Sequence, residues 1–478
     1  VLVSGLTVAI SLSALVFFPQ TFLRSMGFGA VSAVVIAMLG ALTVLPALLA
    51  ALGPKVNALR VPGRRPERPI GEDGRWARFA RAIMRRPGII AAGSVVLLLA
   101  LAAPVLRTEF GGVDVRVLPS DAESRVAAEM VADDYPGAAR ESVTVVVDDP
   151  SGLEPATVTD LSVTLASLEN ATGAEAVAVS DTTAVLEVTH DGAATGEEAR
   201  GLVTDIRALA DGEPVLSQAP DGEASDTVPA STEVLVGGAA AQVDDLLASI
   251  GSILPWAIAF VVGVTMLVLF LAFGSLLLPI KAVVMNVLSL AAMFGVVTWV
   301  FQDGNGASLF GVTPTGTLEA SQLVLMVAIA FGLSTDYEVF LLSRVREVWD
   351  RTGDNTRAVA TGVQRTGRSI TSAALLLVIV IGAFSTSGIS FIAMIGVGLG
   401  FAIILDATLI RMVLVPSTMA LLGRANWWLP GPLERVWQRL RIREEDDSTI
   451  HGADGSAGIV ASGTSSGVDS GAGAGEQE

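Results

Sequence analysis

One acidic side chain stands out of place in this sequence. Asp336 lies in LVLMVAIAFGLSTDYEVFLLSRVRE, an otherwise apolar run, eight residues before Arg344. At 1.5 Å per residue that is about 12 Å from the charged end, close to the middle of a bilayer core about 30 Å thick. Ionisable groups in hydrocarbon are costly and are functional candidates by default. A carboxyl in so poor a dielectric exchanges its charge for a proton readily. It could therefore load a proton on one side and release it on the other. Gly332, Asp336 and Phe340 share a helix face at i, i+4 and i+8. The glycine would let a neighbouring helix approach the carboxylate, and Tyr337 could donate a hydrogen bond nearby. The plainer alternative is an aspartate that merely bonds across helices, a task serine or threonine performs more cheaply.

Asp406 and Arg411, in GFAIILDATLIRMVLVP, form a second constellation, with Asp406 again near mid-membrane. Five residues turn an α-helix through about 500°, so the two share a face badly. Each is expected to pair with another helix, and Asp406 could lie against Asp336; a purely structural interhelix ion pair is the competing reading. Glu338, about 200° round from Asp336, is expected at the bundle surface or snorkelling inward. Ser372 and Ser4 are candidates to line a proton path.

The chain contains no cysteine, which excludes disulfides, thiolate metal sites and cysteine nucleophiles. Its two histidines, His190 and His451, stand far apart, so no histidine metal site is expected, and no cofactor is implied. A net charge of −18 repels nucleic acid. Hydrophobic residues make up 51% and charged residues 16%, against about 25% charged in a soluble domain. With a mean hydropathy of +0.62, this is a membrane composition.

Apolar stretches long enough to span fall at about 1–18, 27–52, 88–106, 250–272, 276–301, 319–343, 369–388 and 391–422, eight in all. The first, VLVSGLTVAISLSALVFF, has no basic region before it and reads as a spanning helix rather than a signal peptide. Segment 53–86 carries ten basic residues against three acids, and 344–368 six arginines against three acids. Both are expected in the cytoplasm by the positive-inside rule, as is the chain after 423. The connection 107–249 then lies outside. It is acidic and alternates helix and strand: helices in DAESRVAAEMVADDYPG, EPATVTDLSVTLASLEN and GEEARGLVTDIRALADG, strands in SVTVVVDD, AVAVSDTTAVLEVTH and STEVLVGG. That pattern suggests an α+β sandwich with a solvated acidic surface; a funnel for cationic cargo is the sharper alternative. The Gly/Ser/acid-rich end reads as a disordered tail.

Two stretches look like copies of one another. MGFGAVSAVVIAMLGALTVLPALLAALG (26–53) aligns with IGVGLGFAIILDATLIRMVLVPSTMALLG (395–423), matching Gly27 with Gly396, Gly29 with Gly398, Pro46 with Pro416 and Gly53 with Gly423. Membrane transporters are often built from duplicated halves. On that reading residues 76–423 are one complete half, and 1–53 are the last two spans of a preceding half whose other four spans and outer domain are missing. The expected divisions are 1–53, two spans; 54–86, a basic cytoplasmic linker; 87–107, one span; 108–249, the outer domain; 250–423, five spans carrying the relay; and 424–478, the cytoplasmic tail.

GLSTDYEVFLLSRVRE resembles the signature of the MMPL family within the RND superfamily, and the LPSDAES segment and GSLLLP turn are similar to that family too. The resemblance covers essentially the whole chain except the tail. It implies a polytopic α-helical membrane protein, with about eight transmembrane helices of an RND-type bundle here and one extracytoplasmic α+β porter-like domain. It implies a twelve-span cell-membrane exporter in which inward proton flow drives lipids or other hydrophobic molecules outward, as monomer or trimer. Asp336 and Tyr337 would be a proton-relay pair supported by Gly332 and Phe340. Asp406 and Arg411 match a further acidic–basic pair of the last span. A second Asp-Tyr pair would lie on a span this chain does not contain, and the repeat counterpart of Asp406 falls at Ala37 or Met38. Competing functions are drug efflux or assistance to protein translocation, a non-transporting scaffold or truncated product, and an intramembrane aspartyl protease using Asp336 and Asp406. Against the protease stand the Gly-Leu-Ser-Thr before Asp336 (rather than Gly-x-Gly), the outer domain and the repeat.

Overall fold

The computed structural model describes residues 2–57, 74–135, 142–211 and 232–440. Helix α1 (Leu2–Ser13) ends in a 3-10 turn, and α2 (Thr21–Leu39) passes through a π-helical segment, Gly40–Val44, into α3 (Leu45–Leu52). A short α4 (Arg75–Met84) precedes α5 (Pro87–Ala102). The soluble domain follows: α6 (Glu123–Asp134), β1 (Ser142–Asp148), α7 (Pro155–Ala166), β2 (Ala171–Val179), β3 (Thr183–His190), α8 (Glu197–Ala210) and β4 (Glu233–Gly237). Then come α9 (Ala239–Phe273), α10 (Leu277–Val297), α11 (Ala320–Thr352), α12 (Asn355–Gly382) and α13 (Ser390–Leu405). A second π-helical segment, Asp406–Leu414, leads to α14 (Val415–Leu422) and finally α15 (Gly431–Leu440).

Among the described residues 7 helices are long and apolar enough to cross a membrane, and Leu2–Phe17 is a shorter apolar one. Hydropathy finds where apolar character stops, which is not where the helices stop. α9 begins at Ala239, well before the apolar run, because Ala240 and Ala241 pack into the core of the soluble domain. The arginine-rich stretch 344–368 is no loop. α11 continues to Thr352, stitched by Arg344–Glu347 and Arg346–Asp350 pairs, Gly353 closes it at φ +62°, and Asp354 caps α12. Part of the expected basic linker is helix α4. The expected tail is ordered as far as residue 440: Trp427 stacks on Trp349 at 5.4 Å, and the Trp437 indole donates to the Leu271 carbonyl at 3.0 Å. Residues 58–73 of the linker and 441–478 of the tail lie outside the described residues.

The soluble domain is an antiparallel sheet in the order β2-β3-β1-β4. β1 alternates strictly: Val143, Val145 and Val147 face inward beside Ala184, Leu186 and Val188 of β3, and α7 and α8 cover that face with Leu161, Leu165, Leu202 and Ile206. Its base is tied to the bundle. Phe110 bridges Leu318, and the buried Arg125 donates to the Leu118 carbonyl at 2.8 Å and to Thr313 Oγ1 at 3.0 Å. Glu319, next along, accepts from the backbone N–H groups of Ser321 and Gln322 and so caps α11.

The two copies share backbone detail that composition cannot supply. In each, a 3-10 turn (Ala14–Phe17; Ala383–Thr386) receives a glycine of the next helix. A Cβ on Gly27 would lie 3.0 Å from Leu15, and one on Gly396 2.4 Å from the Ser385 nitrogen. Each helix then loosens into a π segment, tightens at a proline-bearing α-helix, and ends on a left-handed glycine, Gly53 at φ 45° and Gly423 at φ 52°.

Candidate functional site

α11 is the axis of the bundle. Ser11 Oγ of α1 donates to the Ala328 carbonyl, and Ser4 Oγ donates to Asp336 Oδ1. As one sequence number falls the other rises, so α1 runs antiparallel along the face carrying Gly332 and Asp336. A Cβ on Gly332 would meet Ser11 at 3.4 Å, ordinary contact. The close approach expected there exists, yet alanine would also fit. Phe340, one turn beyond Asp336, is 40% exposed and level with the first residues of α1, away from the polar cluster. Ser372 is not brought to the site; it is exposed, and its hydroxyl returns to the Ser369 carbonyl.

Asp406 and Arg411 do share a face, contrary to the helical-wheel expectation. The segment that holds them is π-helical, with i→i+5 hydrogen bonding, so residues five apart stand over one another. Arg411 Nε donates to Asp406 Oδ2 at 2.7 Å, and both side chains are buried. Arg411 Nη2 also donates to the Ser334 carbonyl, while its guanidinium carbon lies 5.1 Å from the centre of the Tyr337 ring. Tyr337 therefore joins the two constellations through its ring. Asp336 and Asp406 share no hydrogen bond; Asp336 turns to α1, and Asp406 to Arg411 and Ser334. A shared-proton carboxylate dyad, which an aspartyl protease needs, is not formed.

Ser334 Oγ lies 2.6 Å from Asn286 Oδ1 and 2.9 Å from Asp406 Oδ1, while Asn286 Nδ2 has no partner among the described residues. One hydroxyl proton cannot serve two acceptors. With the amide turned over, Nδ2 donates to Ser334 and Ser334 donates to Asp406, so each of the two contacts has one donor and one acceptor. A cavity of about 20 Å³ opens beside them, lined by Asn286, Ser289, Ser334, Tyr337 and Asp406, which is room for one water molecule.

Two further ionisable groups lie here. Glu338, expected at the surface, is 5% exposed, and Lys281 of α10 is 8% exposed. They are each other's counter-charge, and neither Lys281 Nζ nor Glu338 Oε1 has a hydrogen-bond partner among the described residues. Angle round a helix does not reveal its neighbours. α11 is packed by α1, α9, α10, α12 and α13, which leaves Glu338 no lipid-facing side. The available signal was Lys281 itself, one of only two lysines, four residues into an apolar helix.

The model of the MMPL family matches residues 1–90 and 116–446. Over 456 residues the chain is 42% identical to a membrane protein of Streptomyces coelicolor, covering 93% of this chain and 59% of that protein. It is 33% identical over 484 residues to the trehalose monomycolate exporter MmpL3 of Mycolicibacterium smegmatis (93% and 46% covered). It is 34% identical over 453 residues to the heme uptake protein MmpL11 of Mycobacterium tuberculosis (91% and 44% covered). The chain thus spans about half the length of these relatives. The cryo-EM structure of the hedgehog release protein Disp from the water bear Hypsibius dujardini has the same fold, with a TM-score of 0.59 at 13% identity over 88% of this chain and 58% of that one.

Proposed function

This chain belongs to the MMPL family of the RND superfamily, and on that premise we propose that it forms part of a transporter in which inward proton flow drives a lipid or other hydrophobic cargo out across the cytoplasmic membrane. The observation that carries the proton role is an asymmetry between two acids. Asp406 is clamped by Arg411 and Ser334. Asp336 has no cationic partner among the described residues and accepts only from the Ser4 hydroxyl. A carboxylate neutralised by a guanidinium has little reason to take a proton; one held by a hydroxyl can take a proton and give it up. Asp336 is the carrier, Tyr337 relays between it and the Asp406–Arg411 pair, and Asn286, Ser334 and the small cavity complete a polar path.

The relatives named as trehalose monomycolate exporters support a lipid as cargo. The arginine excess of 53–86 and 344–368 supports a cytoplasmic position for those ends, and so an outer position for the α/β domain. The paired backbone of 2–57 and 372–427 supports a second half that completes the transporter. The test is export of a fluorescent long-chain glycolipid from cells carrying the full-length transporter, with the proton gradient intact or collapsed by an uncoupler. Export that continues unchanged after collapse removes the proton drive.

A further inference from the structure

Helix α4 carries three arginines and no acid, and Arg85 and Arg86 follow it directly, in a chain whose acids outnumber its bases by 48 to 30. Its faces are sharply divided. Ala77, Ala80 and Ile83 are buried against the bundle, while Arg75, Arg78, Arg81, Arg85 and Arg86 are all exposed on the opposite arc. Arg81 is partly engaged, its Nε donating to the Ala77 carbonyl. Arg75, Arg78, Arg85 and Arg86 meet no carboxylate among the described residues.

The helix is also held rigidly. Gln364 of α12 accepts the Ala77 backbone N–H at 3.0 Å and so caps the first turn, and α12 comes so close that a Cβ on Gly367 would lie 2.8 Å from the Trp76 ring. Phe79, 43% exposed, stands edge-on to Trp76 at 6.4 Å between ring centres. Three residues after Met84, Pro87 opens the spanning helix α5. An exposed aromatic ring, Phe79, beside arginines on one arc at the mouth of a membrane span matches the level of lipid head groups.

We propose that the exposed arc of α4 is a binding site for the head groups of anionic phospholipids in the leaflet where α5 begins. Arginine presents a planar fork to phosphate oxygens, and here the helix that carries the forks is anchored to α12 before any lipid arrives. Because α4 also packs on α12, α14 and the π segment bearing Asp406 and Arg411, a lipid held there presses on the segment that carries the buried ion pair.

The test counts lipid adducts on the chain by native mass spectrometry after release from detergent micelles supplied with phosphatidylglycerol or phosphatidylcholine. Wild type should retain phosphatidylglycerol in preference. R75Q/R78Q/R85Q/R86Q should lower that affinity by about fivefold per arginine, about 600-fold together. R107Q, whose arginine pairs with Asp303 beyond the other end of α5, should leave it unchanged. The charge-keeping R75K/R78K/R85K/R86K should retain most of it. Should the glutamine variant fail to fold, the wild type decides: its affinity must fall steeply as salt rises from about 0.05 to about 0.5 M. Equal retention of phosphatidylcholine, indifference to salt, undiminished binding by a folded glutamine variant, or displacement by millimolar inorganic phosphate would each overturn the site.

Discussion

Replacing Arg411 by methionine tests the buried pair most sharply. The substitution keeps much of the side-chain volume but leaves Asp406, 7% exposed, with only the Ser334 hydroxyl. Breaking a buried ion pair by removing one partner costs about 3–5 kcal/mol, because the surviving charge stays desolvated. Losing the guanidinium over the Tyr337 ring adds about 0.5–2 kcal/mol. Unfolding entropy of about 2.1 cal/mol/K per residue over this chain gives about 1 kcal/mol per degree. Arg411→Met should therefore lower the melting midpoint in detergent by about 4–7 °C. The double variant Asp406→Asn/Arg411→Met removes both charges and keeps an acceptor for Ser334, so it should recover about half or more of that loss. Intrinsic fluorescence during heating, on wild type, both single variants and the double, reads the cycle. Additive losses, with the double variant melting lowest of all, would refute the pairing that the π segment creates.

Lys281→Met should destabilise strongly by stranding Glu338, and Glu338→Gln in the same chain should rescue it; expression and melting of the two variants read the coupling. Gly295→Ala places a Cβ 1.9 Å from the Leu101 carbonyl oxygen, a backbone atom that cannot give way, so α5 and α10 must part and the midpoint should fall by several degrees, about 3 or more. Gly332→Ala, with Ser11 at 3.4 Å, should melt within about 1 °C of wild type. In the soluble domain, burial and the nearby Glu169 push the Asp205 carboxyl up from its ordinary value. Folding then favours its protonated form, so ionising it costs stability, and that cost is present at neutral pH and absent in acid. Asp205→Asn should slow hydrogen exchange of α8 amides at neutral pH, with no gain once the pH falls below the usual carboxylate range.

Much of this was legible in the sequence because it rests on local pattern. The alternation in SVTVVVDD and the helical periods around it specify the α/β domain, and the matched glycines and prolines of 26–53 and 395–423 mark the paired backbone segments. Asp336 announced itself as a charge in an apolar run. What stayed hidden depends on backbone winding or on neighbours. A π segment has no composition of its own, so Asp406 and Arg411 looked misaligned while standing together. Glu338 has the same angle on a helical wheel whether its side meets lipid or α10; only packing decides. The helical ends of α9, α11 and α12 project past the apolar runs, where hydropathy stops counting.

Proton flux through Asp336 tests the central claim most directly. The full-length transporter, reconstituted in liposomes with a pH-sensitive dye inside, is exposed to an imposed pH gradient as wild type, Asp336→Asn and Ser4→Ala. The account predicts flux in wild type, none in Asp336→Asn, and a reduced rate in Ser4→Ala, with all three folded alike. Equal flux from wild type and a folded Asp336→Asn would contradict it, leaving Asp336 as a bond between helices.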